Sequence, residues 1–203
     1  MIRPASFWNF LADKYARDPV VDEASYQHKL AKSREYFTHE SEILEIGSGT
    51  GSTAIWHAPF VKSVLATDIS EKMIAISNAK LVNSDINNVV FKLSSIDDLN
   101  IEDESLDAVL ALSVMHLIKN QDEVIYKIYK MLKPDGVFIS STVCLEDDSK
   151  IAKYIAPIGR LIGLILKPLT QKGLKQSLEN AGFKIDYSWN PKGSSTTFII
   201  GKK

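Results

Sequence analysis

Cysteine is almost missing from this sequence: Cys144 is the single one among 203 residues. One thiol excludes an internal disulfide framework and any cysteine-based zinc site, and it fits a reducing, cytoplasmic compartment. A charge surplus is missing too. Lys and Arg number 24 against 25 Asp and Glu, so nothing in the balance points to nucleic acid or to an anionic membrane surface. Long apolar runs are also lacking. The most membrane-like stretch, 155–166, is interrupted by Arg160 and closed by Lys167-Pro168, whereas a spanning helix needs roughly 20 apolar residues. Residues 1–20 interleave charges with aromatics and have no continuous apolar core of a secretory signal. The histidines at 28, 39, 57 and 116 include no i, i+4 pair, so no metal site is expected. No internal repeat, low-complexity tract or interdomain linker is visible.

What is present suits an ordinary soluble globular chain, 45% hydrophobic and 24% charged. Its length is most simply one domain, 1–203, with a sizeable core. The organising stretch is Ile43-Leu44-Glu45-Ile46-Gly47-Ser48-Gly49-Thr50-Gly51-Ser52. A short apolar strand enters a turn with glycine at every second position, and glycine lets a backbone bend sharply and approach a ligand. A helix then follows, whose first N–H groups face the crevice.

Downstream, Ser63–Thr67 reads as a strand ending at Asp68, and Ser70 suits the cap of the next helix. Val89–Leu93 and Leu106–Leu112 read as further strands, the latter nearly all apolar as in a parallel strand covered on both faces. Val124, Ile125, Ile128, Met131 and Leu132 follow helical spacing. Pro134-Asp135-Gly136 then turns into Val137–Val143. The alternation argues for a mostly parallel, doubly wound α/β sheet. Its end differs: Lys172–Ala181 is a helix closed by Gly182, and Phe183–Trp189 with Thr196–Gly201 flank a turn at 190–193, giving an antiparallel hairpin and seven strands in all.

Before the glycine stretch, Phe7, Trp8, Leu11 and Tyr15 fall at helical spacing, and a second helix starts near Asp22 with Tyr26, Leu30 and Phe37 on one face. Residues 1–40 either cover one end of the sheet or form a lid over a ligand.

The cofactor follows from details of the turn. A dinucleotide loop reads G-x-G-x-x-G, but position 52 is Ser52, where the third glycine would fall. Glu45 is poorly placed beside a pyrophosphate and well placed for an ammonium or sulfonium. Asp68, at the end of the second strand, can accept hydrogen bonds from both hydroxyls of a ribose, or instead cap the helix behind it.

The ordered set Glu45-x-Gly47-x-Gly49-x-Gly51, Asp68-Ile69-Ser70, Leu132-Lys133-Pro134-Asp135-Gly136 and Ala181-Gly182-Phe183 resembles the class I S-adenosylmethionine-dependent methyltransferases. The similarity is greatest to the small-molecule branch named for ubiquinone and menaquinone methylation. The resemblance implies a Rossmann-like methyltransferase fold with S-adenosylmethionine as cofactor. It places Gly47, Ser48, Gly49 and Gly51 beside the methionyl part and Glu45 toward the cationic end. Asp68 would hold the ribose, with Ile69 and Met73 against the adenine. The register after the third strand is ambiguous: Ser95 stands where Asp is usual, so Ser95 or Asp97 takes the adenine amino group and the Ile96 N–H reads the ring. Leu112 joins these cofactor-side residues.

Methyl transfer is an in-line displacement that needs alignment and exclusion of water, and a base only when the acceptor keeps its proton. His116, just after the fourth strand, is the candidate to orient or deprotonate an acceptor; a half-buried structural histidine is the bland alternative. Tyr15 and Tyr26 either close over the substrate side or pack as core. Residues 150–170, with Arg160, form a substrate-side insertion that lines an acceptor pocket, rests on a membrane surface or pairs with a second subunit in a homodimer. The expected function is methylation of a small molecule. A non-catalytic cofactor-binding module and a nicotinamide-dependent oxidoreductase stay open, with Ser52 and the hairpin against the latter.

Overall fold

A computed structural model describes residues 4–82, 84–144 and 169–203. Seven strands form one sheet in the order β3-β2-β1-β4-β5-β7-β6. They are β1 (Glu42–Ile46), β2 (Ser63–Asp68), β3 (Val89–Leu93), β4 (Leu106–Leu112), β5 (Leu132–Val143), β6 (Lys184–Trp189) and β7 (Thr196–Lys202). The first five are parallel, while β7 runs antiparallel to both β5 and β6. Strand order reverses between β1 and β4. That is where the carboxyl ends of a doubly wound sheet open a crevice.

The helices are α1 (Pro4–Arg17), α2 (Glu23–Arg34), α3 (Ser52–His57), α4 (Glu71–Val82), α5 (Gln121–Met131) and α6 (Gln171–Asn180). Their ends follow local chemistry. Asp22 caps α2 by accepting from the Ser25 N–H, and Thr170 caps α6 by accepting from the Gly173 N–H. Gly182 closes α6 with φ +107°, the left-handed region that glycine enters without a Cβ penalty.

Each sheet face carries its own core. On one, Leu44, Val109 and Phe138 pack with Val124, Ile125 and Ile128 of α5 and Leu174 and Leu178 of α6. On the other, Ile43, Leu110, Ile139 and Phe198 pack with Ala54 of α3 and Ile74 of α4. Central strands are buried on both sides, which explains why β4 reads as an unbroken apolar run.

Two boundaries differ from the sequence pattern. β5 begins at Leu132 rather than Val137, because the chain pairs with Leu106 before it bulges. Pro134-Asp135-Gly136 sits inside that irregularity, with Asp135 at φ +67°. Helix α2 stops at Arg34, so Phe37 lies beyond it and reaches the core from a turn, edge-on to His57 at 5.0 Å. In α4 the inward face uses Ser77 beside Met73 and Ile74.

Candidate active site

The turn after β1 is held from several directions. Gly47, Gly49 and Gly51 all have positive φ, at 66°, 54° and 78°, yet they serve different ends. A Cβ on Gly47 would stand 2.7 Å from Val114 Cγ2, and one on Gly51 would stand 2.4 Å from the Phe91 ring. Those two glycines allow close packing of the protein on itself. Gly49 is different: a Cβ there would meet only Tyr15, at 3.7 Å. Gly49 therefore presents the open backbone against which a ligand can lie.

Asp68 secures this turn. Its Oδ2 accepts from the Gly49 N–H at 2.9 Å and its Oδ1 from the Ser70 N–H at 2.8 Å. Each oxygen retains a further lone pair for a ribose hydroxyl. Burial raises the Asp68 pKa above the ordinary carboxylate value, and the N–H donors oppose that rise. Ser77 adds a bond from its hydroxyl to the Gly49 carbonyl, at 3.1 Å, and Lys80 Nζ donates to the hydroxyls of Thr50 and Ser52 at 3.0 and 2.9 Å.

Glu45 points into the same region from β1. It is 3% exposed, and its Oε2 has no hydrogen-bond partner. Burial first, then the nearby Asp68, push its pKa up to about 8, with the Ala54 N–H opposing. A buried carboxylate oxygen without a donor is costly. A cationic ligand group would supply what it lacks, whereas a pyrophosphate would add repulsion. Ser48 Oγ is likewise buried without a partner.

Two helices bring aromatic hydroxyls over this carboxylate. Tyr15 of α1 is 56% exposed as a residue, yet burial of its hydroxyl end raises its pKa, with Glu45 and Asp68 adding to the rise. Tyr26 of α2 bonds Thr53 Oγ1 at 3.1 Å, and burial raises its pKa as well. Helix α1 is fastened to α4 through Asn9, whose Oδ1 accepts from Ser70 Oγ at 2.7 Å and from the Lys72 N–H at 3.1 Å. Helix α2 is fastened to the terminal hairpin by His28, which bonds the Tyr187 hydroxyl at 3.0 Å.

The remaining predicted residues divide. Ile69 is 37% exposed beside Asp68, whereas Met73 is 2% exposed and packed in the interior. Ser95 turns its hydroxyl onto Asp98 Oδ2 at 2.7 Å. Asp97 stands exposed in the same turn, and Lys127 holds the carbonyls of Ile96 and Asp97 at 2.7 and 3.1 Å. Leu112 is half-buried at the end of β4. Just beyond, Ser113 takes φ +62° and His116 lies in a short 3-10 turn. His116 Nδ1 is buried without a partner, and burial lowers its pKa to about 4. Arg160 lies outside the described residues.

Asn9, Ser77, Lys80 and Asp98 were not foreseen from the sequence. Only an i, i+3 Ser–Asp pair, such as Ser95 and Asp98, carries a local signal. The others act across sequence gaps of 28 to 63 residues. Among the described residues, no group of three or more His, Cys, Asp or Glu is placed to hold a metal ion. No helix among them is long and apolar enough to cross a membrane. Two cavities lie away from the glycine turn: one of about 280 Å3 lined by Cys144, Gln171, Asn190 and Thr197, and one of about 350 Å3 between Tyr36, Asp107 and Asp186.

A seven-stranded sheet with this strand order, a glycine turn after β1 and an acid at the end of β2 defines a Rossmann-like methyltransferase fold. Residues 44–140 match the methyltransferase domain family. Over that stretch, just under half of its length, the chain is similar to the S-adenosylmethionine-dependent methyltransferases, and the open Gly49 and the unpartnered Glu45 oxygen fit that cofactor. It is 23% identical over 150 residues to an uncharacterized methyltransferase, YcgJ, of Bacillus subtilis, covering 74% of this chain and 59% of that protein. It is 30% identical over 164 residues to an arsenite methyltransferase of Halobacterium salinarum, covering 77% of this chain and 40% of that protein. The chain thus spans less than two thirds of each of these relatives. A crystal structure of an S-adenosylmethionine-dependent methyltransferase from Aquifex aeolicus shares its fold, with a TM-score of 0.71, 16% identity and 98% of each chain covered.

Proposed function

We propose that this protein transfers a methyl group from S-adenosylmethionine to a small-molecule acceptor by in-line displacement. The carrying observation is that two aromatic hydroxyls flank the glycine turn. Tyr15 and Tyr26, from two helices fastened to the domain body, lie close enough to Glu45 for its charge to add to burial in raising both their pKa values, an arrangement that suits a small acceptor better than a macromolecular surface. Residues 1–40 act as the lid in this reading, and residues 150–170 as a substrate-side insertion.

S-adenosylmethionine supplies an electrophilic methyl on a sulfonium. The chain's own groups do the rest. Gly49 and the carboxylate of Asp68 receive the cofactor's backbone-facing side and ribose. Glu45, ionised on binding, stabilises the positive end. Ile69 would lie against the adenine ring, with Ser95, Ile96 and Asp97 at its edge. Tyr15 and Tyr26 exclude water and present aromatic faces that favour a sulfonium. His116, neutral above about pH 4, orients the acceptor by a hydrogen bond; so low a pKa makes it a weak base.

Isothermal titration with S-adenosylmethionine tests the cofactor, and no binding at millimolar ligand would sink the proposal. A metabolite screen following S-adenosylhomocysteine release tests the acceptor class. Turnover confined to protein or nucleic acid fractions would replace the small-molecule reading.

A further inference from the structure

Lys29, like Lys80, is a half-buried lysine whose side-chain partners among the described residues are hydroxyls. It lies on α2 three residues after Tyr26, so both side chains share one helix face. The Tyr26 hydroxyl reaches Thr53 at the start of α3. The Lys29 ammonium reaches the Ser141 hydroxyl on β5, at 3.2 Å. Among the described residues that hydroxyl is its one hydrogen-bond partner, and none of their carboxylates forms an ion pair with it. Eight other lysines, among the described residues, do pair with Asp or Glu. Lys29 is also half-buried, and burial lowers its pKa. Asp22 acts on it through space, and a partly desolvated cation bonded to a neutral hydroxyl can still accept an anionic partner.

Its position gives that cation a use. Ser141 pairs with Leu112 across β4 and β5, and its carbonyl accepts from the Ser113 N–H at 2.7 Å. Glu45 pairs with Leu110, two residues earlier on β4. Residues two apart on a strand share a face, so Glu45, Leu112 and Ser141 lie on the side that α2 covers. With strands about 4.8 Å apart and a rise of about 3.3 Å per residue, Ser141 stands roughly 12 Å from Glu45 along the sheet. In the methyltransferase reading, the reacting methyl and the acceptor would lie between the two charges. Glu45 marks the cofactor's cationic end. Lys29 marks the far, acceptor end.

We propose that Lys29, with the Ser141 hydroxyl, binds an anionic oxygen group of the methyl acceptor and so selects acidic small molecules. The inference rests on the methyltransferase reading for what lies between the two charges. Aromatic walls from Tyr15 and Tyr26 make an aryl acid a suitable probe. The full chain, saturated with S-adenosylhomocysteine, is titrated calorimetrically with benzoate, phenyl phosphate and neutral benzamide. At least one anion is expected to bind ten times more tightly than benzamide, and the better of the two tells carboxylate from phosphate. Lys29→Met should abolish that preference and Lys29→Arg should keep it. The S-adenosylhomocysteine affinity should stay within twofold in both. Lys29→Gln gives the same comparison if the Met variant does not fold, as judged by thermal unfolding. Equal binding of anions and benzamide by the unaltered protein would overturn the proposal, as would an intact anion preference in Lys29→Met. If S-adenosylhomocysteine itself fails to bind, the methyltransferase reading fails. The anion preference is then still measured on the free protein.

Discussion

The backbone N–H of Gly49 donates to Oδ2 of Asp68 at 2.9 Å, joining the middle of the glycine turn to the end of β2. One carboxylate therefore shapes the loop, and in the proposed function it also takes the ribose. Asp68→Ala removes this bond and the one from the Ser70 N–H. It should weaken S-adenosylmethionine binding at least tenfold and cost about 1–3 kcal/mol of stability. Calorimetric titration and urea unfolding measure the two effects separately. An unchanged affinity would show that the ribose assignment is wrong.

The glycines should separate by experiment. Gly51→Ala drives a Cβ into the Phe91 ring and against Ser77, at 2.4 and 2.9 Å, in a left-handed backbone. A loss of about 2–4 kcal/mol is expected. Gly49→Ala meets only Tyr15 at 3.7 Å, so about 1–2 kcal/mol of backbone cost remains, with a larger loss of cofactor affinity. Equal destabilisation by the two would contradict the division of roles drawn from their surroundings.

Glu45 should link cofactor binding to proton release. Without ligand its pKa is about 8, so it is mostly protonated at pH 7. A cation favours its ionised form. Binding S-adenosylmethionine at pH 7 should release up to one proton, read as a dependence of the calorimetric heat on the ionisation enthalpy of the buffer. Glu45→Gln should remove that dependence.

Stability of the ligand-free chain should peak near pH 6.5. Glu45 has a folded pKa raised from 4.5 to about 8, so its stabilising contribution is complete below 4.5 and falls as pH rises through 8. His57 and His116 have folded pKa values lowered from 6.5 to about 4. Burial is the main cause in both, joined at His57 by the charge of Arg34. Their contribution is complete above 6.5 and falls toward 4. Two histidines outweigh one carboxylate between 4.5 and 6.5, and the carboxylate alone acts from 6.5 to 8. Thermal midpoints across pH 4.5–8 test this, and Glu45→Gln should flatten the alkaline limb.

Asn9 fastens α1 to the start of α4. Asn9→Ala frees Ser70 Oγ and the Lys72 N–H from α1. About 1 kcal/mol should be lost, with S-adenosylmethionine binding several-fold weaker because Tyr15 is no longer held over Gly49. Faster hydrogen exchange confined to α1 and the start of α4 would report the same release.

Much of this molecule is legible in one dimension because its signals are local. An apolar strand, alternate glycines and an acid at the next strand end are short-range patterns, and they set the parallel core, the terminal hairpin and the cofactor class. The Ser95 register stayed ambiguous because its partner, Asp98, competes within the same turn. Phe37 was assigned to α2 because side-chain periodicity continues past the point where the backbone stops.

Tertiary structure alone decided how the pieces serve the site. Gly47 and Gly51 look identical to Gly49 in sequence, and only Val114 and Phe91 packed against them reveal that they face inward. The unpartnered oxygen of Glu45, the Asn9 clasp and the bond from Lys29 to Ser141 are likewise relations between distant segments. Burial and pairing depend on which strands and helices become neighbours. No spacing along the chain encodes them.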